Sequence, residues 1–189
     1  MDTRFTRWGR VALIPLAVAG ALFVACSDDE EPEATATEEA MAEAVVVTAV
    51  DYGFEGLPES VKAGTKISLV NSSAAELHEF VAVLLPAGEE RPAAELMALP
   101  EEELFALMGD GEPASVILAA PGTGADANIV AVGDGTLTVA GRYLILCAIP
   151  VGADPAAYAA AAATSDGPPE VEGGPPHFVQ GMFGELTVE

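Results

Sequence analysis

The side chains in this chain that best bind a soft transition metal are few. The chain has two histidines, His78 and His177, and two cysteines. Cys26 closes an N-terminal leader, so Cys147 is a lone thiol in the remainder and has no partner for an internal disulfide. A leftover thiol in an exported protein calls for another role, and metal ligation is one. Met182 follows His177 in the stretch HFVQGM.

A thiolate, two imidazoles and a weakly bound thioether form the donor set of a trigonal copper site. The two sulfur donors suit Cu(I), and imidazole suits either oxidation state. Each residue also has an ordinary interpretation, as a hydrogen-bonded histidine, a small buried thiol or a methionine that fills a core. The candidate ligands for one soft metal ion such as copper are His78, Cys147, His177 and Met182.

The elements that carry these residues are predicted to be short strands. Segments rich in β-branched residues alternate with turns of glycine, proline and asparagine, which indicates an antiparallel sandwich or barrel. His78 begins one strand, Cys147 ends another, and His177 lies in the loop before the last strand. The three segments concerned are HEFVAVLLP (78–86), RYLILCAIP (142–150) and GELTVE (184–189).

Two stretches do not have the period of strands. Residues 91–113 place leucines near helical spacing, and glutamates directly after Pro100 favour a helix that begins there. We predict one broken helix or two short ones in this insert. Residues 154–176 begin as an alanine-rich helix and end as a loop of glycine and proline.

The stretch GRYLILC (141–147) is similar to the Gly-x-Tyr-x-x-x-Cys strand of the cupredoxins, the blue-copper family that includes plastocyanin and the halocyanins. HFVQGM (177–182) matches the His-x4-Met of that family, which is followed by a closing strand. SLVNSSAAELHEF (68–80) resembles the segment that supplies the first ligand. The resemblance covers most of residues 45–189.

This resemblance implies an all-β fold, a Greek-key cupredoxin-like β-sandwich with short helical insertions. It also implies one type 1 copper at the loop end of the sandwich. Carried over by position, His78, Cys147 and His177 are the equatorial ligands, and Met182 is the axial ligand.

The chain departs from the family pattern in two places. Cys147 and His177 are usually close in sequence, whereas here residues 148–176 form an extended ligand loop between them. Because the entropy of loop closure grows slowly with length, the site is still expected to form. Glu79 stands where the family often has asparagine. We expect its backbone N–H to bond the cysteine sulfur, and an inward carboxylate would favour Cu(II).

The first residues read as an export signal. Three arginines precede an apolar run, and LFVAC (22–26) resembles a lipobox. We therefore predict a signal peptide over residues 1–25 and lipidation of Cys26. The alternative is an uncleaved signal anchor with an incidental cysteine.

Residues 26–44 are acidic, rich in alanine and threonine, and without an apolar period, so we predict a disordered tether. The formal net charge of the chain is −23, with 30 acidic and 7 basic residues. Nucleic acid is excluded as a partner because phosphate binding needs clustered lysine and arginine. The ordinary interpretation of this charge is a solvated acidic surface, and a basic protein partner or a salty habitat would also suit it.

Together these features predict a type 1 copper protein, exported and anchored to the outer face of the cytoplasmic membrane. It would carry one electron at a time between redox proteins at the membrane. The alternative is a copper-binding, copper-storage or partner-binding lipoprotein without a role in electron transfer. We do not expect an enzyme, since the chain has too few histidines for a copper oxidase and no Ser/His/Asp triad.

Overall fold

A computed structural model describes residues 44–109, 112–164 and 167–189. The predicted signal peptide, Cys26 and the tether as far as residue 43 lie outside these ranges. The strands of the described residues, in chain order, are β1 (Ala44–Val50), β2 (Gly53–Glu55), β3 (Ser60–Val61), β4 (Thr65–Asn71), β5 (His78–Leu84), β6 (Ser115–Ala119), β7 (Ile129–Val132), β8 (Thr136–Leu137), β9 (Gly141–Leu146) and β10 (Phe183–Val188). The helices are α1 (Ala93–Leu96), α2 (Glu101–Met108) and α3 (Pro155–Ala162).

The strands form two sheets. One has the order β2-β1-β4-β8, and the other has the order β3-β10-β9-β5-β6-β7. Alternate residues of both sheets point into a shared core, and they include Val47, Leu69, Phe80 and Ile145. The predicted all-β sandwich with short helical insertions is confirmed.

The central strands of the larger sheet are buried on both faces. The first six residues of β5 are all buried, and the sequence HEFVAVL accordingly shows no alternation of apolar and polar residues. Its outer face contributes Val81 and Val83 to a second apolar cluster, which also contains Leu96 of α1 and Leu104 of α2. The helical insert therefore covers the outside of the sheet.

The helices agree with the pattern read from the sequence. The predicted insert forms two short helices, and Pro100 immediately precedes the second one. The alanine-rich stretch forms α3, where Asp154 caps the first turn by accepting a hydrogen bond from the Ala157 N–H. None of the helices in the described ranges is long and apolar enough to span a membrane.

Two strand pairs depart from the antiparallel arrangement that the sequence indicates. β1 pairs with β4 in parallel, and β10 pairs with β3 in parallel. The chain crosses to the larger sheet as β3 and returns to the smaller sheet as β4, so β4 runs in the same direction as β1. Turn residues alone do not reveal such a crossover, because they mark where a strand ends and not which strand it joins.

Candidate metal centre

The register of the larger sheet brings the first two candidate ligands to one end. β5 and β9 are antiparallel, with Val81 opposite Leu146. The start of β5 therefore lies beside the end of β9. His78 opens β5, and Cys147 directly follows β9. Both side chains are fully buried.

The last strand places Met182 beside the cysteine. β10 pairs with β9 so that Phe183 lies opposite Leu146. One step further along, the Cys147 N–H donates to the Met182 carbonyl at 3.1 Å, which extends the ladder to the site. The Met182 side chain is fully buried at this end of the core.

His177 reaches the same place although a long loop precedes it. The two ends of the extended loop meet in a narrow neck, where the Gly174 N–H donates to the Val151 carbonyl at 2.8 Å. A Cβ on Gly173 would lie 2.5 Å from the Cβ of Pro150, so the neck requires glycine there. Beyond the neck, the His177 N–H donates to the Ile149 carbonyl at 2.9 Å. The insertion thus leaves the return point of the chain next to Cys147.

Three donor atoms converge at this end of the sandwich. The Nδ1 atoms of His78 and His177 lie 3.1 Å apart, and the Cys147 Sγ lies 3.3 Å from the His177 Nδ1. Ligand atoms of all three residues lie within 4.8 Å of one another, and all three side chains are buried. Two imidazoles, a thiol and a neighbouring buried thioether are the soft donors that copper prefers. This donor set fits one type 1 copper ion.

Burial keeps the two imidazoles neutral. Burial, and to a smaller extent the nearby His177, lower the pKa of His78 to about 4. Burial also lowers the pKa of His177, against the opposing effect of the Glu76 carboxylate. The pKa of the Cys147 thiol is raised, chiefly by burial. Neutral imidazoles are ready to bind a metal, whereas the thiol has to release its proton when a metal binds.

Glu79 is tied to the cysteine from both its backbone and its side chain. Its N–H donates to the Cys147 Sγ at 3.4 Å, which confirms the expected bond to the sulfur. Its carboxylate is buried and points inward, where Oε1 accepts from the Ala148 N–H at 3.0 Å and Oε2 accepts from the Tyr158 hydroxyl at 3.1 Å. Burial raises the pKa of Glu79 to about 7, although both hydrogen bonds oppose this shift.

A second carboxylate faces the remote nitrogen of His177. The Glu76 Oε2 lies 3.3 Å from the His177 Nε2, but the two groups are not aligned for a hydrogen bond. The same oxygen accepts from the Gly152 N–H at 3.0 Å, which joins the extended loop to the segment before His78. The contact of Glu76 with His177 is therefore electrostatic.

Tyr52 closes the other side of His177. Its φ of 64° is in the left-handed region, which bulky residues rarely adopt and which costs on the order of 1 kcal/mol or more. The ring packs edge-on against the His177 ring, with 5.2 Å between centroids. Together with Glu76, this ring leaves His177 without exposed surface.

The chain matches no protein-family model and no curated protein sequence. Among solved structures, it is similar to the dithionite-reduced auracyanin of Roseiflexus castenholzii, at 20% identity and a TM-score of 0.42 over 78% of this chain and 98% of that one. Auracyanin A of Chloroflexus aurantiacus, described as a blue copper protein, has 20% identity and a TM-score of 0.41, covering 77% and 98%. Auracyanin B has 17% identity and a TM-score of 0.40, covering 78% and 89%.

Sequence reasoning named the donor atoms but missed most of their surroundings. Glu76 and Tyr158 were not singled out, since a glutamate in an acidic chain and a tyrosine among alanines carry no local signal. Tyr52 was not singled out either. The one indication was Glu79, whose position next to His78 suggested an influence on the metal.

Proposed function

We propose that this protein is a membrane-tethered, extracytoplasmic type 1 copper protein that carries one electron at a time. The observation that supports this most is the convergence of the ligand atoms of His78, Cys147 and His177 in a buried cluster. Met182, buried beside Cys147, is the proposed axial ligand. A copper ion bound here supplies the one-electron couple between Cu(II) and Cu(I).

The surrounding residues hold the ligands rather than prepare a substrate. Backbone hydrogen bonds fix Cys147 to Met182 and His177 to Ile149. Three strong donors and one weak donor leave no open position for a substrate, and burial of all four side chains excludes water. A site that keeps its shape in both oxidation states favours electron transfer over catalytic turnover.

We expect the copper-loaded protein to show an intense visible band from thiolate-to-copper charge transfer and a reversible one-electron couple. The metal-free protein should be titrated with Cu(II) while its absorption is recorded, and then studied by voltammetry. The band should saturate at one equivalent of copper. Absence of any such band in the wild type would contradict the site.

The second candidate is a copper-storage or partner-binding lipoprotein. The extended loop and the helical insert favour it, since both add surface beyond what the ligands need, and Phe105 of α2 is half exposed. The same experiment separates the two functions. A visible band without a reversible couple would support storage or delivery.

The proposed location rests on LFVAC (22–26) and the acidic stretch after it. Lipidation of Cys26 would anchor the domain to the outer face of the cytoplasmic membrane, and the charged tether would hold it away from anionic headgroups. The partners proposed for this position are redox proteins at the membrane. A basic docking surface on them would complement the net charge of −23.

Replacing Cys26 by alanine should release the protein from membranes. The thiol is the proposed attachment point of the lipid, and no other cysteine lies in the leader. The measurement is the distribution of the full chain between membrane and soluble fractions, with Ser27→Ala as the matched control that keeps the thiol. Unchanged retention of the Cys26→Ala protein would favour an uncleaved signal anchor.

A further inference from the structure

The helix α3 lies within the extended loop and has one buried side chain, Tyr158. Its other side chains are a proline and alanines, so they offer the sandwich little more than methyl groups. Asp154 stabilises the start of the helix by accepting from the Ala157 N–H at 2.7 Å. Tyr158 is therefore the side chain that attaches α3 to the core.

The hydroxyl of Tyr158 does not point into water. It donates to the Oε2 of Glu79 at 3.1 Å, and both side chains are buried. The other carboxylate oxygen of Glu79 accepts a hydrogen bond from the N–H of Ala148, the residue that follows Cys147. The backbone N–H of Glu79 donates a hydrogen bond to the Cys147 sulfur itself. The hydrogen bond from Tyr158 is therefore linked, through Glu79, to the backbone beside Cys147 and to the cysteine sulfur.

We propose that Tyr158 is a positioning residue of the metal centre, which acts on the Cys147 sulfur through Glu79. This inference rests on the proposed copper site. The hydroxyl fixes the orientation of the Glu79 carboxylate. The carboxylate in turn fixes the backbone next to Cys147 and the N–H that reaches the sulfur. By this connection the extended loop influences the metal and does more than link two ligands.

A purely structural role for Tyr158 predicts something different. Packing of the ring against the core would anchor α3 with or without the hydroxyl, because phenylalanine fills almost the same volume. A positioning role depends on the hydroxyl alone. The substitution Tyr158→Phe therefore separates the two roles.

The expected direction follows from the hydrogen bond to the sulfur. A Glu79 N–H that is held less firmly withdraws less electron density from the Cys147 sulfur, and this favours Cu(II). We expect Tyr158→Phe to shift the ratio of Cu(I) to Cu(II) about three- to tenfold toward Cu(II). Tenfold corresponds to 59 mV for a one-electron couple.

Tyr143→Phe is the matched control. Tyr143 is also a buried tyrosine whose hydroxyl makes one hydrogen bond, to the Val139 carbonyl at 2.8 Å, and no contact with Glu79. It should leave the potential and the visible band unchanged. A second readout needs no copper: in the metal-free protein, Tyr158→Phe should speed amide hydrogen exchange at Glu79 and Ala148 several-fold, whereas Tyr143→Phe should not.

Equal shifts in both variants, or none in either, would overturn the inference. A wild type that binds copper without a visible band would overturn the proposed function instead, so the two failures are distinguishable. Should Tyr158→Phe not fold, hydrogen exchange of the metal-free Glu79→Met variant decides. Its side chain can no longer hold the Tyr158 hydroxyl or the Ala148 N–H, so amide exchange at position 79 should become several-fold faster. Unchanged exchange at position 79 would show that the carboxylate does not fix the N–H that reaches the sulfur and would refute the proposal.

Discussion

Replacing Cys147 by serine should abolish the visible band of the copper-loaded protein and most of its affinity for Cu(I). The thiolate is the donor responsible for the charge-transfer band, and a serine hydroxyl is a hard donor that keeps its proton near neutral pH. If the three strong ligands share a binding free energy similar to that of structural zinc sites, about 10–16 kcal/mol, each contributes about 3–5 kcal/mol, so the affinity should fall about a hundredfold or more.

The fold should survive this substitution. Serine is slightly smaller than cysteine, and its oxygen can accept the hydrogen bond that the Glu79 N–H now donates to the sulfur. Met182→Leu is the matched control, because it removes the proposed weak axial donor from an equally buried position and should keep the band. Copper affinity is measured by competition with a Cu(I) chelator. Persistence of the band in Cys147→Ser would show that another group is its source.

In the wild-type metal-free domain, the free energy of unfolding should hardly change between about pH 7.5 and 4.5. In the Glu79→Gln variant, it should fall by about 3 kcal/mol over the same range. Two buried groups cause this behaviour with opposite signs. They are the His78 imidazole, with a pKa lowered to about 4, and the Glu79 carboxyl, with a pKa raised to about 7.

The signs follow from which state binds the proton first. For His78, the unfolded chain takes up a proton near its ordinary pKa of 6.5, while the folded protein does so only near 4, so acid destabilises the fold in that window. His177, whose pKa is also lowered, adds to this loss. For Glu79, the folded protein takes up a proton near 7 and the unfolded chain near 4.5, so acid stabilises the fold. In the wild type, the loss of stability caused by the histidines and the gain caused by Glu79 offset each other. The Glu79→Gln substitution removes the gain, so the loss becomes visible.

Urea unfolding across this range measures the effect. Glu90→Gln, on an exposed glutamate, makes the same change in net charge and should follow the wild-type profile. An unchanged profile in Glu79→Gln would mean that Glu79 does not titrate in this window. A steep fall in the wild type itself would mean that the histidines outweigh the carboxyl.

Much of the fold could be predicted from residues close together in sequence. The β-branched runs and their turns locate most strands, and Pro100 locates the start of α2. The candidate metal ligands were identified for a different reason: they occupy the ligand positions of the cupredoxin motifs that the sequence resembles, and the chain has few other histidines or thiols. Donor types that are rare in a chain are informative even without their neighbours.

The rest depends on contacts between distant segments. The parallel partner of β1 is set by a crossover between sheets, which no local pattern encodes. Tyr158 meets Glu79 across 79 positions of sequence, and Gly152 meets Glu76 across 76. Such pairs form only when the folded sandwich places the extended loop next to the start of β5. The sequence therefore indicates the donor atoms far better than the groups that orient them.

The enclosure of His177 by Tyr52 and Glu76 bears on how these molecules would exchange electrons with one another. Two copies in solution would have to approach through this end, where neither histidine edge reaches the surface. Glu76 and the exposed Asp51 lie at this end in both copies, and like charges oppose the encounter. Self-exchange should consequently be slow and accelerated by salt. Each copy would then keep its oxidation state until it meets a partner of opposite charge.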